Sequence, residues 1–492
     1  MITFLISMVA LILGYFIYGK VVDRVFGPDN RKTPAVRIND GVDYVVMPTW
    51  KVYMIQFLNI AGTGPIFGGA VHDYLSGMIS MRNDGAGLPT MIGKYLGNGT
   101  RKVMLTVTSL LLVMVGAVFV YSPAIILEGF GGDKVMWMAI IFIYYLIATM
   151  MPIDKIIGKI YPLFAISLIF MALALFVVLI IKMPALPELW DMGNMDAWRN
   201  GTQIGGKDAL GIVGFMQKNP LLPCMFITIA CGAVSGFHAT QSPLMARCIK
   251  SEKLGRRVFY GSMITEGIVA LIWASVSSYF FYYGGWKELI SADEVTAFVS
   301  QFGGEGGKTL IQYFSAPTVV KIVCTGWLGV MGGILAMMGV VAAPITSGDT
   351  ALRSMRLIIA EALHIDQKPV VKRLMISIPI FVATFALLLW QMSSPDSFNV
   401  LWQFFGWLNQ TLAVFTFWML TVYLVRARKP YVMTLIPAVF MTVICALFLL
   451  VSPEAFNLST DITVWAVPAI AVVALLWFIL WYRRDRHRVL EI

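Results

Sequence analysis

The stretch Pro220–Arg247, PLLPCMFITIACGAVSGFHATQSPLMAR, constrains this chain more than any other. It is apolar enough to cross a bilayer, yet its middle holds Gly232, Gly236, His238, Thr240, Gln241, Ser242 and Pro243. A helix in lipid must satisfy its own backbone, so a break at membrane depth survives only inside protein or beside a polar cavity. Trp50–Ser76 has the same character, its apolar run interrupted by Asn59, Gly62, Gly64 and Pro65. Two interrupted membrane segments, one in each half of a chain, point to the binding site of a transporter. The remaining apolar segments read as scaffold around these two.

Composition agrees. The 492 residues are 58% hydrophobic and 13% charged, against about 25% charged in an average soluble domain. A net charge of +10 raises the question of nucleic acid. The basic residues sit in short loops instead, as the positive-inside rule expects of a polytopic membrane protein. Cys224, Cys231, Cys248, Cys324 and Cys445 form no CxxC pair and read as reduced and buried. Ile2–Gly19 has no preceding basic residue and no small-residue cleavage site, and reads as an uncleaved span. The sequence holds no phosphate-binding glycine loop, no HExxH and no GxSxG, so ATP-driven transport and membrane proteolysis lack their parts.

Further spans read near 103–127, 135–151, 160–181, 221–246, 258–283, 317–345, 372–391, 398–424, 432–451 and 462–482, most near the roughly 20 residues a bilayer requires. Loop charge orients them: Arg247, Lys250, Lys253, Arg256 and Arg257 place one loop inside, and the tail with Arg483, Arg484, Arg486 and Arg488 ends inside. The loops before and after 50–78 are both basic and both want the inside. A segment between two inside loops cannot cross once, so 50–78 reads as a re-entrant hairpin broken at Gly62–Pro65, or one of the two loops is misplaced.

The motifs TPAVRINDGVDYV (33–45), IAGTGPIFG (60–68), GAVHDYLSGM (69–78), IGKYLG (92–97), PIDKIIGKIYPLF (152–164), FITIACGAVSGFHATQSP (226–243), PITSGDTALRSMRLI (344–358) and FGWLNQTLA (405–413) run through nearly the whole chain. On these the sequence resembles the carbon starvation protein A family of peptide and pyruvate transporters, in its shorter branch. The resemblance implies an all-α polytopic protein with a five-plus-five inverted-repeat fold and two discontinuous helices. It implies import of short peptides or pyruvate across the bacterial inner membrane under carbon starvation, coupled to protons or sodium, with the C-terminus cytoplasmic. Family members usually carry a further helix-length stretch between GPIFG and GAVHDY, whereas here Gly68 runs directly into Gly69. The second helix of the first repeat is therefore expected to be missing. On this plan 1–49 is a peripheral span and loop, 50–181 an incomplete first repeat, 221–424 the second repeat, and 432–492 two peripheral spans and a tail.

The candidate residues follow from the breaks. Gly62, Thr63, Gly64 and Pro65 would form a substrate-facing unwound turn, whose following half-helix offers free N–H groups to an anion; the plainer alternative is helix-packing glycine. Gly236, Phe237, His238, Thr240 and Gln241 form the second break. His238 is either a proton carrier, with an ordinary pKa of about 6.5, or a neutral histidine bonded to a carbonyl. Asp349 lies where a long apolar span ends and is either an intramembrane carboxylate with a function or an interfacial residue paired with Arg353. Thr346 and Ser347 supply hydroxyls, and related inverted-repeat folds imply a sodium ion held by these and by Ala61 and Gly64. Asp73 and Glu266 are further coupling candidates. Asn409 and Gln410 read as interhelical glue first and substrate partners second, and Asp40 and Asp43 as loop architecture or gating. No other cofactor is expected. The partners expected are a small carboxylate or short peptide and membrane lipid, not nucleic acid, with the oligomeric state open. The rival readings are a polytopic membrane enzyme and a channel or starvation sensor; four scattered histidines argue against the first.

Overall fold

The computed structural model describes residues 1–60, 67–129, 131–155, 157–186, 188, 234–282, 285–293, 295–296, 314, 316–393, 395–452 and 455–485. Among these, nine helices are long and apolar enough to cross a membrane. Labelled in chain order with their shorter neighbours, the helices are α1 (Ile2–Phe26), α2 (Thr49–Ile60), α3 (Phe67–Arg82), α4 (Leu88–Leu96), α5 (Asn98–Glu128), α6 (Lys134–Met150), α7 (Ile157–Lys182), α8 (Gly236–Ala246), α9 (Gly261–Tyr282), α10 (Ala316–Ala362), α11 (Val370–Ser393), α12 (Pro395–Arg426), α13 (Val432–Val451) and α14 (Thr463–Asp485). No strand forms among the described residues. The chain is thus an all-helical, multi-pass membrane protein.

Length sorts the helices into two layers. The long ones present Leu, Ile, Val and Phe outward, as Leu173 and Ile181 do on α7 and Trp477 and Leu480 do on α14. Three short ones lie inside. Every residue of α8 is buried, and so is every residue of α3 from Ala70 to Met81. On α2, Ile55–Ile60 are buried in one run. At about 1.5 Å per residue, α8 is roughly half a membrane long. It packs against α2, α3, α10 and α12 at once. Its polar side chains are tolerated for that reason: each faces protein, and none faces lipid.

Both ends of the α2–α3 pair meet at the C-terminal end of α8. Ahead of α2, the Val45 N–H donates to the Arg247 carbonyl (3.2 Å) and the Tyr44 hydroxyl to the Asp84 carbonyl (2.8 Å). Beyond α3, Gly85 offers its carbonyl to Arg247 Nε at 2.9 Å. Gly85 holds φ +70, and a Cβ there would lie 2.7 Å from Arg247 Cγ, so the turn needs glycine. The chain enters and leaves on one side, as the hairpin expectation requires; the turn itself, 61–66, is outside the described residues.

One expected boundary moves. The apolar pattern ends near 345, but α10 continues to Ala362, with a kink at Gly329. Thr346, Ser347, Asp349, Thr350, Arg353 and Arg356 are all buried within it. The helix continues because its polar groups find partners: Asp43 lies 2.9 Å from Arg356 and 3.5 Å from Arg353. Cys248, Cys324 and Cys445 are free and buried, as expected; Cys224 and Cys231 lie outside the described residues.

Candidate functional site

The short helices carry the polar groups. At the start of α8, Ser235 is extended (φ −88, ψ 123) and its own side chain does not cap the helix. Asn409 of α12 does so from across the interface: its Oδ1 accepts the Phe237 N–H at 2.7 Å and the Ser235 hydroxyl at 3.0 Å. One of the helix's four unpaired N–H groups is thereby satisfied. Gly236 permits the approach. A Cβ there would lie 2.4 Å from the Asn409 carbonyl oxygen and 2.5 Å from Leu412 Cβ. The space before Gly236 is filled by α12.

One turn into α8, His238 Nδ1 lies 3.5 Å from Asp73 Oδ2. The other carboxylate oxygen, Oδ1, lies 3.2 Å from Nδ1 of His72. The three groups are 0–3% exposed. The Phe417 ring sits 5.0 Å from the His72 ring. The sequence singles out Asp73 and His238 separately, and the fold brings them into contact. His72 emerges only from the structure; its signal is adjacency to Asp73 inside a run that the fold buries completely.

On the helices that pack together here, several buried polar atoms lack hydrogen-bond partners among the described residues. They include both side-chain atoms of Gln56, Asn59 and Gln410, Oε1 of Gln241, Nε2 of His72, and the two atoms of the 3.5 Å contact itself, His238 Nδ1 and Asp73 Oδ2, which are within ion-pair distance but not hydrogen-bonded. Native interiors hold few such atoms, and each calls for an explanation. These lie on α2, α12, α8 and α3. Helix α8 packs on the other three, and α3 packs on α12. Thr240 differs: its hydroxyl donates to the Phe237 carbonyl (2.7 Å) and accepts from Gln241 Nε2 (3.0 Å). Glu266 is buried on α9.

A second group of oxygens forms where α10 crosses the end of α2. Ser347 Oγ is 3.0 Å from the Asn59 carbonyl oxygen and 3.5 Å from that of Leu58. Thr346 Oγ1 donates within its own helix to the Ala343 carbonyl at 3.0 Å. Asp349 does not form the expected pair with Arg353. Its Oδ2 accepts the Tyr161 hydroxyl at 2.6 Å, while Arg353 turns to Asp43 and to the Met151 carbonyl (3.0 Å). Ala61, Gly62, Thr63, Gly64 and Pro65 lie outside the described residues.

Asp43 is a further buried carboxylate. Asp40 Oδ1 shapes its loop by accepting the N–H groups of Val42, Asp43 and Tyr44 at 2.8–3.0 Å. Burial pushes the Asp43 pKa up, but Arg356, Arg353 and Arg247 outweigh burial and hold it below the usual carboxylate range.

A profile of the family described as carbon starvation protein CstA matches residues 1–69, 66–126 and 120–448. The match divides at 66–69, where GPIFG and GAVHDY adjoin. An uncharacterized membrane protein of Haemophilus influenzae is 40% identical over 349 residues, 57% of this chain and 91% of its own length. Peptide transporter CstA of Campylobacter jejuni is 25% identical over 550 residues, 88% of this chain and 77% of that protein. Pyruvate/proton symporter BtsT of Escherichia coli is 28% identical over 314 residues, 49% and 43% of the two chains. A solved sodium-coupled sialic acid symporter, substrate-bound and outward-open, superposes with a TM-score of 0.50 at 13% identity over 95% of this chain and 96% of its own. That likeness concerns the fold alone.

Proposed function

This chain belongs to the carbon starvation protein CstA family, and from that premise we propose that it is a secondary active transporter importing short peptides or pyruvate across a bacterial inner membrane, driven by a cation gradient. The observation that carries the reading is the set of buried amides Gln56, Asn59 and Gln410, without hydrogen-bond partners among the described residues, on the helices packed against α8. Pyruvate and the peptide C-terminus share a carboxylate, which is costly to bury bare. From Thr49 to Met81, the only basic residues on α2 and α3 are Lys51 and His72, and His238 is the only one on α8. The donors on offer are therefore side-chain amides, and each amide also carries an acceptor for a peptide ammonium. Counterflow in proteoliposomes with labelled pyruvate and labelled dialanine tests the reading. Exchange of at least one is expected, with its methyl ester competing poorly. No exchange of either, or equal competition by the ester, refutes it.

Sodium as the driving ion is favoured by one observation, the Ser347 hydroxyl set among the Leu58 and Asn59 carbonyls. Hard cations take such oxygen ligands. In that case uptake requires sodium, and Ser347→Ala raises the sodium concentration needed. Uptake indifferent to sodium removes the site.

A further inference from the structure

We propose that the Asp73 carboxylate, clasped between His72 and His238, is the residence site of a coupling proton. The proposal rests on the transport reading above and adds a proton to the coupling ion considered there.

Asp73 is fully buried, and among the described residues its charged contacts within ion-pair distance are the two imidazoles. Arginine would fix the carboxylate as an anion permanently, because a guanidinium does not release its proton. Imidazole does so in the ordinary working range of pH. Each ring turns Nδ1 toward the carboxylate. In the unloaded state both Nδ1 atoms carry hydrogen and the cluster has a net charge of −1. A proton taken from water by an imidazole Nε2 lone pair brings the cluster to zero, and its return to water on the other side restores −1. No substrate bond forms or breaks. His72 Nε2 is buried and has no hydrogen-bond partner among the described residues. The proton belongs to the three groups jointly.

Several other titratable groups on elements packed against α3 have partners of their own. Asp23 of α1 accepts the Tyr74 hydroxyl at 2.6 Å. Arg82, at the end of α3, pairs with Glu252 at 2.8 Å and donates to Tyr423 of α12 at 3.2 Å. Lys94 of α4 donates to Asn83. Arg256, ahead of α9, lies over the Tyr15 ring at 5.3 Å.

The test uses the purified full chain in proteoliposomes with labelled pyruvate, and dialanine in parallel. An inward gradient of about one pH unit, at clamped potential, drives about tenfold accumulation if one proton accompanies each substrate. The unsubstituted protein is expected to reach it. Asp73→Asn is expected to exchange substrate more slowly but to accumulate none, and its exchange rate to lose its pH dependence. His238→Gln is expected to lower accumulation severalfold, and it carries the test if Asp73→Asn does not reach the membrane. Gradient-driven accumulation by Asp73→Asn, or by His238→Gln, at the unsubstituted level overturns the proposal. A third measurement needs no variant: substrate entry into de-energised vesicles should acidify an enclosed dye, and exchange without acidification overturns the proposal. Absence of any exchange by the unsubstituted protein refutes the transport reading itself, a distinct failure.

Discussion

Asp43 and Asp73 are both buried carboxylates, yet they are held in opposite ways. Asp43 faces Arg353 and Arg356, whose charge is permanent. Asp73 faces His72 and His238, whose charge is conditional. The first arrangement ties the loop before α2 to α10. The second places a titratable group where the buried helices α3 and α8 pack together. The choice of basic partner, rather than burial, separates a lock from a switch.

The largest expected effect breaks the lock. Asp43→Asn leaves two buried guanidinium groups without their counter-charge, which costs about 3–5 kcal/mol. Thermal unfolding of the detergent-purified protein should show a drop of many degrees, or little folded protein at all; an unchanged midpoint would mean that the arginines are held by their carbonyl contacts alone. The pH dependence has a definite sign. The Asp43 pKa is lowered in the folded state, so its stabilisation is complete above the unfolded carboxylate value of about 3.9 and is lost as pH falls through the folded value. The midpoint should be insensitive to Asp43 from neutrality to about pH 5 and fall at lower pH.

Next comes the interface that positions the switch. Gly236→Ala sets a methyl group against the Asn409 carbonyl, an overpacking of about 1–3 kcal/mol. It should push α8 off α12 and His238 away from Asp73, so gradient-driven uptake falls together with the melting midpoint. Normal melting with normal uptake would show that the interface can yield. Asn409→Ala is expected to act similarly but more weakly. It strands the buried Phe237 N–H, for about 1–3 kcal/mol, and Asn409→Asp, which keeps the acceptor, should recover part of the loss in the same melt.

The smallest effect is at Phe417, whose ring packs on His72. Phe417→Leu removes a contact of about 1 kcal/mol. It should shift the pH profile of exchange by a fraction of a unit while leaving melting nearly unchanged; a large stability loss instead would assign the ring to core packing.

Much of this was legible locally. The long spans, the interruption near Gly236, the conflict of two basic loops around 50–78 and the GPIFG–GAVHDY junction are matters of composition and order. Each survives in the helices, in the shared end of α2 and α3, and in the divided family match. The polar pairings were not legible. Asp349 with Arg353 is the natural reading of residues four apart on a helix, yet Tyr161 takes Asp349 while Asp43 takes Arg353. His238 and Asp73 carry no mutual signal, being far apart along the chain. Gly236 reads as part of a break in a membrane segment, and only the fold shows α12 packed directly against it.

The division has a physical cause. Partition between water and lipid is additive over neighbouring residues, so the sequence by itself determined which segments leave water and how long they must be. It also determined that polar residues inside those segments had to find partners. Which partner each one found depends on side chains from helices that meet only after packing. Only the tertiary structure decided that one buried aspartate should lie between arginines and the other between histidines.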